Sequence, residues 1–300
     1  MQFKNDTPSK GKHRATSYRD RFSPIVFVSG MDFAEQKSGN GRGTFRIAKF
    51  RRLLIIFRKD RAFPPSEFLM ITETITIDSI HGGKPIGAYL SRPDTPGNGP
   101  ALIVIHEWWG LVPHIKDIAD RYASQGYVTV APDLYGGAVG TSPEEASKLS
   151  SSVTPEISKK MLDSVVSYLS SVKFVNPERI GITGFCFGGT HSFNYLCESD
   201  RIAAGVLFYA TQPVRAEEKL AKITAPVLII YGDQDYRVRQ EVAREIEGKL
   251  KRLGKNAQLV IYPGCGHAFF NDQNKQAYRP EASRDAWEKT LAFFAKYLKP

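Results

Sequence analysis

One cysteine in this chain lies in a sequence pattern suited to a nucleophile. Cys186 falls at the turn between a strand-like apolar run, Ile180 to Thr183, and a helix-like run that begins at Thr190. Gly184 and Gly188 stand two positions away on either side, where a side chain would clash in a tight strand-to-helix turn. This pattern is typical of a nucleophile elbow, with Cys in the place more often held by Ser. The N-terminus of the following helix is expected to favour the thiolate over the thiol.

The same segment has a second interpretation, in which the thiol is only packed. A lone Cys after a strand is commonly a small buried hydrophobe, and the short motif alone does not decide between the two readings. Cys197 illustrates the packed case, because it falls on the apolar stripe of the next predicted helix and is expected in the core. The role of Cys186 therefore depends on partner residues elsewhere in the chain.

Two kinds of partner follow other predicted strands. Asp235 comes after the run Val227 to Gly232, and His267 comes after Leu259 to Tyr262. An imidazole can take the proton of a thiol, and a carboxylate on the other ring nitrogen holds the imidazole in the required tautomer. The chain order of nucleophile, acid and His is that of the α/β-hydrolases. Asp233 remains an alternative to Asp235 as the acid.

The remaining parts of such a site can also be assigned to residues. A tetrahedral oxyanion needs two donors, and we expect the backbone N–H groups of Phe187 and Trp108 to supply them. Adjacent aromatic residues at a strand end commonly line a pocket. We therefore expect the substrate pocket to include Trp109, Tyr135 and Phe269.

The elements that must position these residues alternate between strand and helix from Met70 onward. Thr72 to Asp78 alternates as an exposed strand does, and Ala101 to Ile105 is a continuous apolar run typical of a strand buried on both faces. Ser142 with Glu145 three residues later predicts a capping box at a helix start. The alternation predicts an α/β fold with a mostly parallel central sheet and helices on both faces. The chain order of nucleophile, acid and His indicates the α/β-hydrolase type of this fold. The further strands are predicted at 86–90, 127–131, 180–183, 204–209, 227–231 and 258–262, and the helices at 115–125, 155–172, 190–197, 239–253 and 282–298.

The positive charge of the chain is concentrated at one end. The net charge is +10, and residues 1–69 hold 15 of the 41 Lys and Arg but only 6 of the 31 Asp and Glu. The net charge is therefore +9 in that segment and +1 in the remainder, which argues against a nucleic-acid-binding face on the main domain. We predict a basic, poorly ordered N-terminal extension over 1–69 and one catalytic domain over 70–300.

The apolar runs and the cysteines indicate the cellular compartment of the protein. The longest apolar runs are too short to span a bilayer, and no apolar signal-peptide core precedes them. Three cysteines cannot form a fully paired disulfide framework, so a reducing cytoplasm is expected. Cys265 and His267 alone do not indicate a metal site, because no second Cys or His pair accompanies them.

Several of these motifs together resemble the dienelactone hydrolase family, the carboxymethylenebutenolidase-like α/β-hydrolases. The resemblance runs from about Met70 to Leu298. It is carried by His106-Glu-Trp-Trp-Gly-Leu, Ala131-Pro-Asp-Leu-Tyr, Gly184-Phe-Cys-Phe-Gly-Gly, Gly232-Asp-Gln-Asp and Gly264-Cys-Gly-His-Ala-Phe-Phe-Asn-Asp.

The resemblance implies roles that the residues alone do not. It implies a triad of Cys186, Asp235 and His267, and a Glu107 that takes the thiol proton only when substrate binds. It implies hydrolysis of a lactone or small ester through an acyl-thioester, with no metal or organic cofactor. The main partner is then the small-molecule ester or lactone substrate, and the protein is expected to be a monomer or a dimer.

One departure from the family pattern concerns specificity. Members that act on dienelactone grip the substrate carboxylate with two arginines, one of them four residues after the triad His. That position is Asn271 here, and no Arg occurs between Asp133 and Lys148. Since Arg binds a carboxylate bidentately, its absence leaves open a general carboxylesterase or thioesterase without dienelactone activity.

Two readings from other classes also remain open. A class I glutaminase-like amidotransferase uses a Cys elbow as well, but places His and Glu two residues apart near the C-terminus. In this chain Phe269, and not Glu, stands two residues after His267. A non-enzymatic reading would have the basic segment 1–69 bind nucleic acid or an anionic membrane.

Overall fold

Ten strands form one sheet, in which the strand before Cys186 lies centrally and the strand before His267 lies last in the described order. The computed structural model describes residues 26–37, 44–55, 70–94 and 97–299. Within them the strand order is β1-β2-β3-β4-β6-β5-β7-β8-β9-β10. The strands are β1 (Val26–Lys37), β2 (Thr44–Ile55), β3 (Met70–Ile77), β4 (Ile86–Pro93), β5 (Gly99–Ile105), β6 (Val128–Pro132), β7 (Val175–Phe185), β8 (Ala204–Phe208), β9 (Val227–Gly232) and β10 (Ala257–Tyr262).

The predicted fold class is confirmed. The six strands from β6 to β10 in the sheet order run parallel, whereas β3 and β4 form an antiparallel hairpin that joins β6. Ala101–Ile105 of β5 is completely buried, as a strand covered on both faces must be. The helices are α1 (Pro113–Ser124), α2 (Pro143–Ser151), α3 (Pro155–Ser171), α4 (Phe187–Leu196), α5 (Glu217–Leu220), α6 (Gln240–Arg252) and α7 (Pro280–Leu298).

Both faces of β7 are covered by helices. Gly181 and Gly184 are three residues apart, so their Cα–H directions point to opposite faces of the strand. A Cβ on Gly181 would lie 2.8 Å from Leu298 of α7, and one on Gly184 would lie 2.6 Å from Ser192 of α4. The strand that leads to Cys186 is therefore held between α4 and α7, which is a rigid support for a catalytic residue.

The predicted N-terminal extension includes two of the described strands. β1 and β2 pair with each other antiparallel, and Arg52–Leu54 of β2 pairs with β3. The rest of residues 1–69 lies outside the described residues. A domain boundary at residue 69 and the poor order of the segment stay predictions.

The helix starts agree with the cap signals in the sequence. Ser142 caps α2, and its Oγ accepts the N–H of Glu145 at 3.2 Å. The carboxylate of Glu145 bonds back to the N–H of Thr141 at 2.9 Å, so the reciprocal half of the predicted box is made one residue earlier. Among the described residues, no helix is both long and apolar enough to cross a membrane.

Candidate active site

The backbone at Cys186 has the strained conformation that an elbow requires. Its φ is 55° and its ψ is −110°, and it stands at the N-cap position of α4 directly after β7. A positive φ is costly for a residue with a side chain and persists only where surrounding contacts enforce it. One such contact is the N–H of Cys186, which donates to the carbonyl of Phe208 at 3.0 Å. The turn projects the thiol out of the sheet edge toward the cavity described below.

The glycines beside Cys186 are required by close packing. A Cβ on Gly184 would lie 2.2 Å from the carbonyl oxygen of Gly188. A Cβ on Gly188 would lie 2.4 Å from the carbonyl oxygen of Ile105 and 2.6 Å from that of His106. These obstacles are backbone atoms of α4, of β5 and of the residue after β5, which cannot rotate away as a side chain could.

We expect Gly188→Ala to lower the free energy of unfolding by about 3 kcal/mol or more, because an enforced backbone shift in a packed core is costly. Urea unfolding followed by circular dichroism measures this. The matched control is Gly248→Ala in α6, where a Cβ would meet only the end of the Arg252 side chain at 3.6 Å. That change should stabilise the protein by up to about 1 kcal/mol. Equal stability of the two variants would contradict the packing argument.

The structure brings His267 and Asp235 together. His267 Nδ1 lies 2.9 Å from Asp235 Oδ2, and the Asp235 side chain is buried. Asp235 Oδ1 accepts the backbone N–H of Arg237 at 2.8 Å, which fixes the carboxylate. With Nδ1 donating to Asp235, the Nε2 atom is the free basic nitrogen; it is buried and has no partner among the described residues. His267 and Cys186 line the same cavity.

Asp233 lies in a different environment. Its Oδ1 accepts the backbone N–H of Gly264 at 2.8 Å, which joins the loop after β9 to the loop after β10. Its side chain therefore stabilises the loop that leads to His267, while the carboxylate in contact with the imidazole is that of Asp235.

Backbone strain is concentrated at this sheet edge. Among the described residues, the non-glycine residues with positive φ are Cys186, Tyr209 at φ 35° and Ala268 at φ 59°. Tyr209 follows β8, and Ala268 follows His267 directly. Outliers of this kind cluster at functional sites, because only a surrounding structure that enforces them keeps them populated.

Glu107 is a buried carboxylate in this group. It is 3% exposed and follows β5 after one residue. Its Oε1 accepts the hydroxyl of Tyr209 at 3.2 Å, and its Oε2 accepts the amide Nδ2 of Asn271 at 2.7 Å. The two donors meet the requirement that a buried carboxylate be hydrogen-bonded.

The thiol of Cys186 is neutral at rest. Burial, and next the negative charge of Glu107, raise the pKa of Cys186 to about 12. The N–H of Phe187 and the guanidinium of Arg237 act in the opposite direction but do not offset these effects. The N-terminus of α4 acts in the expected direction, through the N–H of Phe187, but desolvation disfavours the charged form more strongly, so the resting group is the thiol.

The two expected oxyanion donors lie at the ends of neighbouring strands. Phe187 is the first residue of α4, and Trp108 follows Glu107 after β5. In the described part of the chain, neither N–H donates to a backbone carbonyl. Trp108 is held at its backbone and at its side chain, since its carbonyl accepts the hydroxyl of Tyr135 at 3.2 Å and its indole Nε1 donates to Ser150 Oγ at 2.9 Å.

His106 has a supporting role that sequence reasoning missed. It is fully buried, its Nδ1 lies 2.7 Å from the carbonyl oxygen of Glu107, and its Nε2 accepts the N–H of Leu134 at 3.2 Å. Burial lowers the pKa of His106 to about 4, so the ring is neutral and donates from Nδ1. It thereby ties the loop after β5 to the loop after β6. The sequence signal that could have indicated this role is the position of His106 directly after a predicted buried strand.

A cavity of about 980 Å³ opens over these residues. Its wall includes Cys186, His267, Glu107, Trp108 and Trp109, so the predicted pocket residue Trp109 is in the wall. The other side is polar, and is lined by Ser147, Ser150, Ser151, Thr154, Asn194, Gln212, Asn274, Gln276, Arg237 and Arg279. Its volume fits a small organic substrate.

The structure places two predicted pocket residues elsewhere. Phe269 is completely buried and packs against the rings of Tyr209 and Tyr262. Its side chain therefore belongs to the hydrophobic core. Tyr135 does not line the cavity; it supports the wall from behind through its hydrogen bond to the carbonyl of Trp108. Both residues lie in the sequence motifs that form the site, but their side chains pack behind the cavity wall. Sequence position alone does not give that direction.

Comparisons with known proteins find relatives of this chain in sequence and in fold. The sequence model of the dienelactone hydrolase family matches residues 86–298. The protein usf of Aquifex pyrophilus is 34% identical over 223 residues, which cover 72% of this chain and 95% of that protein. A protein of Aquifex aeolicus named as a candidate carboxymethylenebutenolidase is 31% identical, with 72% and 96% covered. The crystal structure of a candidate dienelactone hydrolase from Klebsiella pneumoniae superposes with a TM-score of 0.70 at 30% identity, covering 76% of this chain and 99% of that one.

Proposed function

The chain belongs to the dienelactone hydrolase family and is a carboxylic ester hydrolase; from this premise we propose that it hydrolyses a lactone or small ester with Cys186 as nucleophile. One observation carries the proposal. His267 donates from Nδ1 to Asp235 and presents its free Nε2 in the cavity that Cys186 also lines. This is the arrangement of a nucleophile, a base and an orienting acid.

The first half of the reaction forms an acyl-thioester. The thiol proton passes from Cys186 to Glu107, and the thiolate attacks the carbonyl carbon of the ester. The oxyanion that forms accepts the N–H groups of Phe187 and Trp108. When it collapses, the C–O bond to the leaving oxygen breaks, and that oxygen takes the proton from Glu107. In a lactone the leaving oxygen stays on the acyl chain.

The second half releases the acid. His267 Nε2 takes a proton from a water molecule, which attacks the thioester carbonyl. The C–S bond then breaks, the sulfur recovers its proton from the imidazolium, and the carboxylic acid leaves. Asp235 keeps the imidazole in the correct tautomer and stabilises its charged form. One water is consumed and the enzyme returns to its starting state.

A second candidate is a general carboxylesterase or thioesterase on the same site, with no dienelactone activity. Asn271 favours it, because this neutral amide bonds to Glu107 at the position where the resemblance implies a substrate-binding arginine. A screen of lactones and small esters, each with and without a carboxylate, separates the two. Turnover of carboxylated lactones above the matched esters supports the first candidate, and preference for neutral esters supports the second.

Arg237 is the cation best placed to bind an anionic part of the substrate. It is exposed on the cavity wall, and its guanidinium carbon lies 5.7 Å from the ring centre of Trp108 and 5.1 Å from that of Tyr236. Stacking on two rings orients a guanidinium while leaving its edge free for a carboxylate.

We expect Arg237→Gln to raise KM for a carboxylated lactone about tenfold, because a charge-assisted hydrogen bond is lost. Steady-state kinetics against a neutral ester of the same acyl chain, whose KM should change far less, is the internal reference. Arg239→Gln is the matched control, since Arg239 is exposed, pairs with Glu241 and lies outside the cavity wall. An equal rise in KM for both substrates would contradict the role of Arg237 in binding an anion.

The location follows from the same chemistry. A reducing compartment keeps a thiol nucleophile in its active form, and Cys197 and Cys265 are also unpaired. We therefore propose a cytoplasmic enzyme whose principal partner is its small-molecule substrate.

A further inference from the structure

Glu107 is held by neutral donors. Its two carboxylate oxygens accept one hydrogen bond each, from Tyr209 and from Asn271. Within the part of the chain that the structure describes, Glu107 forms no ion pair. The shorter of the two bonds, at 2.7 Å, is the one from Asn271. The charge of a buried carboxylate beside a thiol thus depends on two uncharged side chains.

The amide of Asn271 has a defined orientation. Its Oδ1 accepts the backbone N–H of Gln273 at 3.0 Å, so its Nδ2 must be the atom that faces Glu107. Its own N–H donates to the carbonyl of Ala268 at 3.0 Å. The loop that carries His267 therefore fixes the backbone and the Oδ1 end of Asn271, and the Nδ2 end is directed at Glu107.

That loop is anchored by α1. The neighbouring residue Asp272 forms an ion pair with Arg121 and lies 3.2 Å from His114, and both partners belong to α1. Arg121 also pairs with Asp117 at 2.5 Å. Half-buried, networked charges of this kind hold a loop in one position. The donor on Asn271 is consequently a fixed feature of the resting site.

We propose that Asn271 is a positioning residue that stabilises the ionised form of Glu107 and thereby limits transfer of the Cys186 proton to it. The proposal rests on the proposed function, in which Glu107 is the acceptor of that proton. The step is an exchange in which the S–H bond breaks and an O–H bond forms, leaving a thiolate and a neutral carboxyl. A hydrogen bond to the carboxylate stabilises only the side before transfer, so it keeps the thiol protonated and protected from oxidation.

Other titratable or charged groups face Cys186 and Glu107, and the test must separate their effects from that of Asn271. They are Tyr209, Tyr135, Tyr231, His267, Asp235, Arg237 and His106. Asn271 differs from all of them because it contacts the Glu107 carboxylate through an amide, which does not ionise. Replacing it changes the proton affinity of Glu107 and adds no new charge to the site.

The test is the rate of alkylation of Cys186 by iodoacetamide from pH 6 to 10, measured by mass spectrometry of the peptide that contains Cys186. We expect Asn271→Leu, which is similar in volume but has no donor, to be alkylated about tenfold faster than wild type at pH 7. In the Glu107→Gln background the same replacement should have no effect, because no carboxylate remains. Gln273→Ala is the matched control, since its exposed side chain takes no part in the network and its rate should equal that of wild type.

Two results would overturn the proposal. One is an unchanged pH profile in Asn271→Leu, and the other is the same acceleration in the Glu107→Gln background, which would mean that the replacement only opens the site. Asn271→Ala carries the same expectation if the Leu variant does not fold. Failure here is distinct from failure of the proposed function, because alkylation reports the thiol and does not require turnover.

Discussion

Cys186→Ala is expected to lower kcat for a small activated ester by about 10⁴-fold or more, while the protein stays folded. The reason is that Cys186 is the only cysteine among the described residues that line the cavity, and removing the nucleophile of a triad typically costs this much. Alanine is smaller than cysteine and can adopt the same strained backbone with no new clash. Initial rates with a nitrophenyl ester, together with thermal unfolding, measure both parts of the expectation.

The matched control is a second cysteine of the same helix region. Cys197 is the C-cap residue of α4, is buried in the core and does not line the cavity. Cys197→Ala should keep kcat within a few-fold and lose only about 1 kcal/mol of stability through the small void it leaves. Turnover in Cys186→Ala close to that of wild type would remove the cysteine from the mechanism.

Asp235→Asn is expected to lower kcat by about 10³- to 10⁴-fold. An asparagine in this position can present its amide N–H to Nδ1 of His267, which would place the imidazole proton on Nε2, the atom that must act as a base. The hydrogen bond to His267 would be kept, but the imidazole could no longer act as a base through Nε2. KM should change little, since Asp235 lies behind the imidazole and does not line the cavity.

Asp233→Asn is the matched control, because the two acids lie in one short loop. Its contact is with the backbone N–H of Gly264, to which an asparagine oxygen can bond equally well. We expect kcat within a few-fold of wild type. The opposite ranking, with Asp233→Asn the inactive variant, would show that the acid is assigned to the wrong residue.

The framework could be predicted from sequence because each central strand is a local pattern. Ala101 to Ile105 and Val227 to Tyr231 are continuous apolar runs, and both are confirmed as buried strands. The start of α4 was predicted too late, at Thr190, whereas the helix begins at Phe187. Gly188 and Gly189 lie in its first turn and lower the helix propensity of that segment, because glycine is a poor helix former. Close tertiary contacts require glycine at both positions.

The site is harder to predict because its contacts join distant segments. Glu107 and Asn271 are 164 residues apart in sequence, and only the sheet order brings the loops after β5 and β10 to one edge. The choice between Asp233 and Asp235 likewise depends on loop geometry that two adjacent acids do not encode. The direction of the pKa shift at Cys186 depends on how completely the thiol is buried, which no local pattern specifies.

The most direct test of the proposed function is to trap the acyl-enzyme. His267→Gln removes the base that activates water but leaves Cys186 in place, so a small activated acetyl ester should acetylate the enzyme faster than the thioester is hydrolysed. Rapid acid quench and peptide mass spectrometry should then find one acetyl group on Cys186, released by hydroxylamine. An acetyl group on another residue, or none on Cys186 while the ester is consumed, would contradict a cysteine-dependent hydrolase.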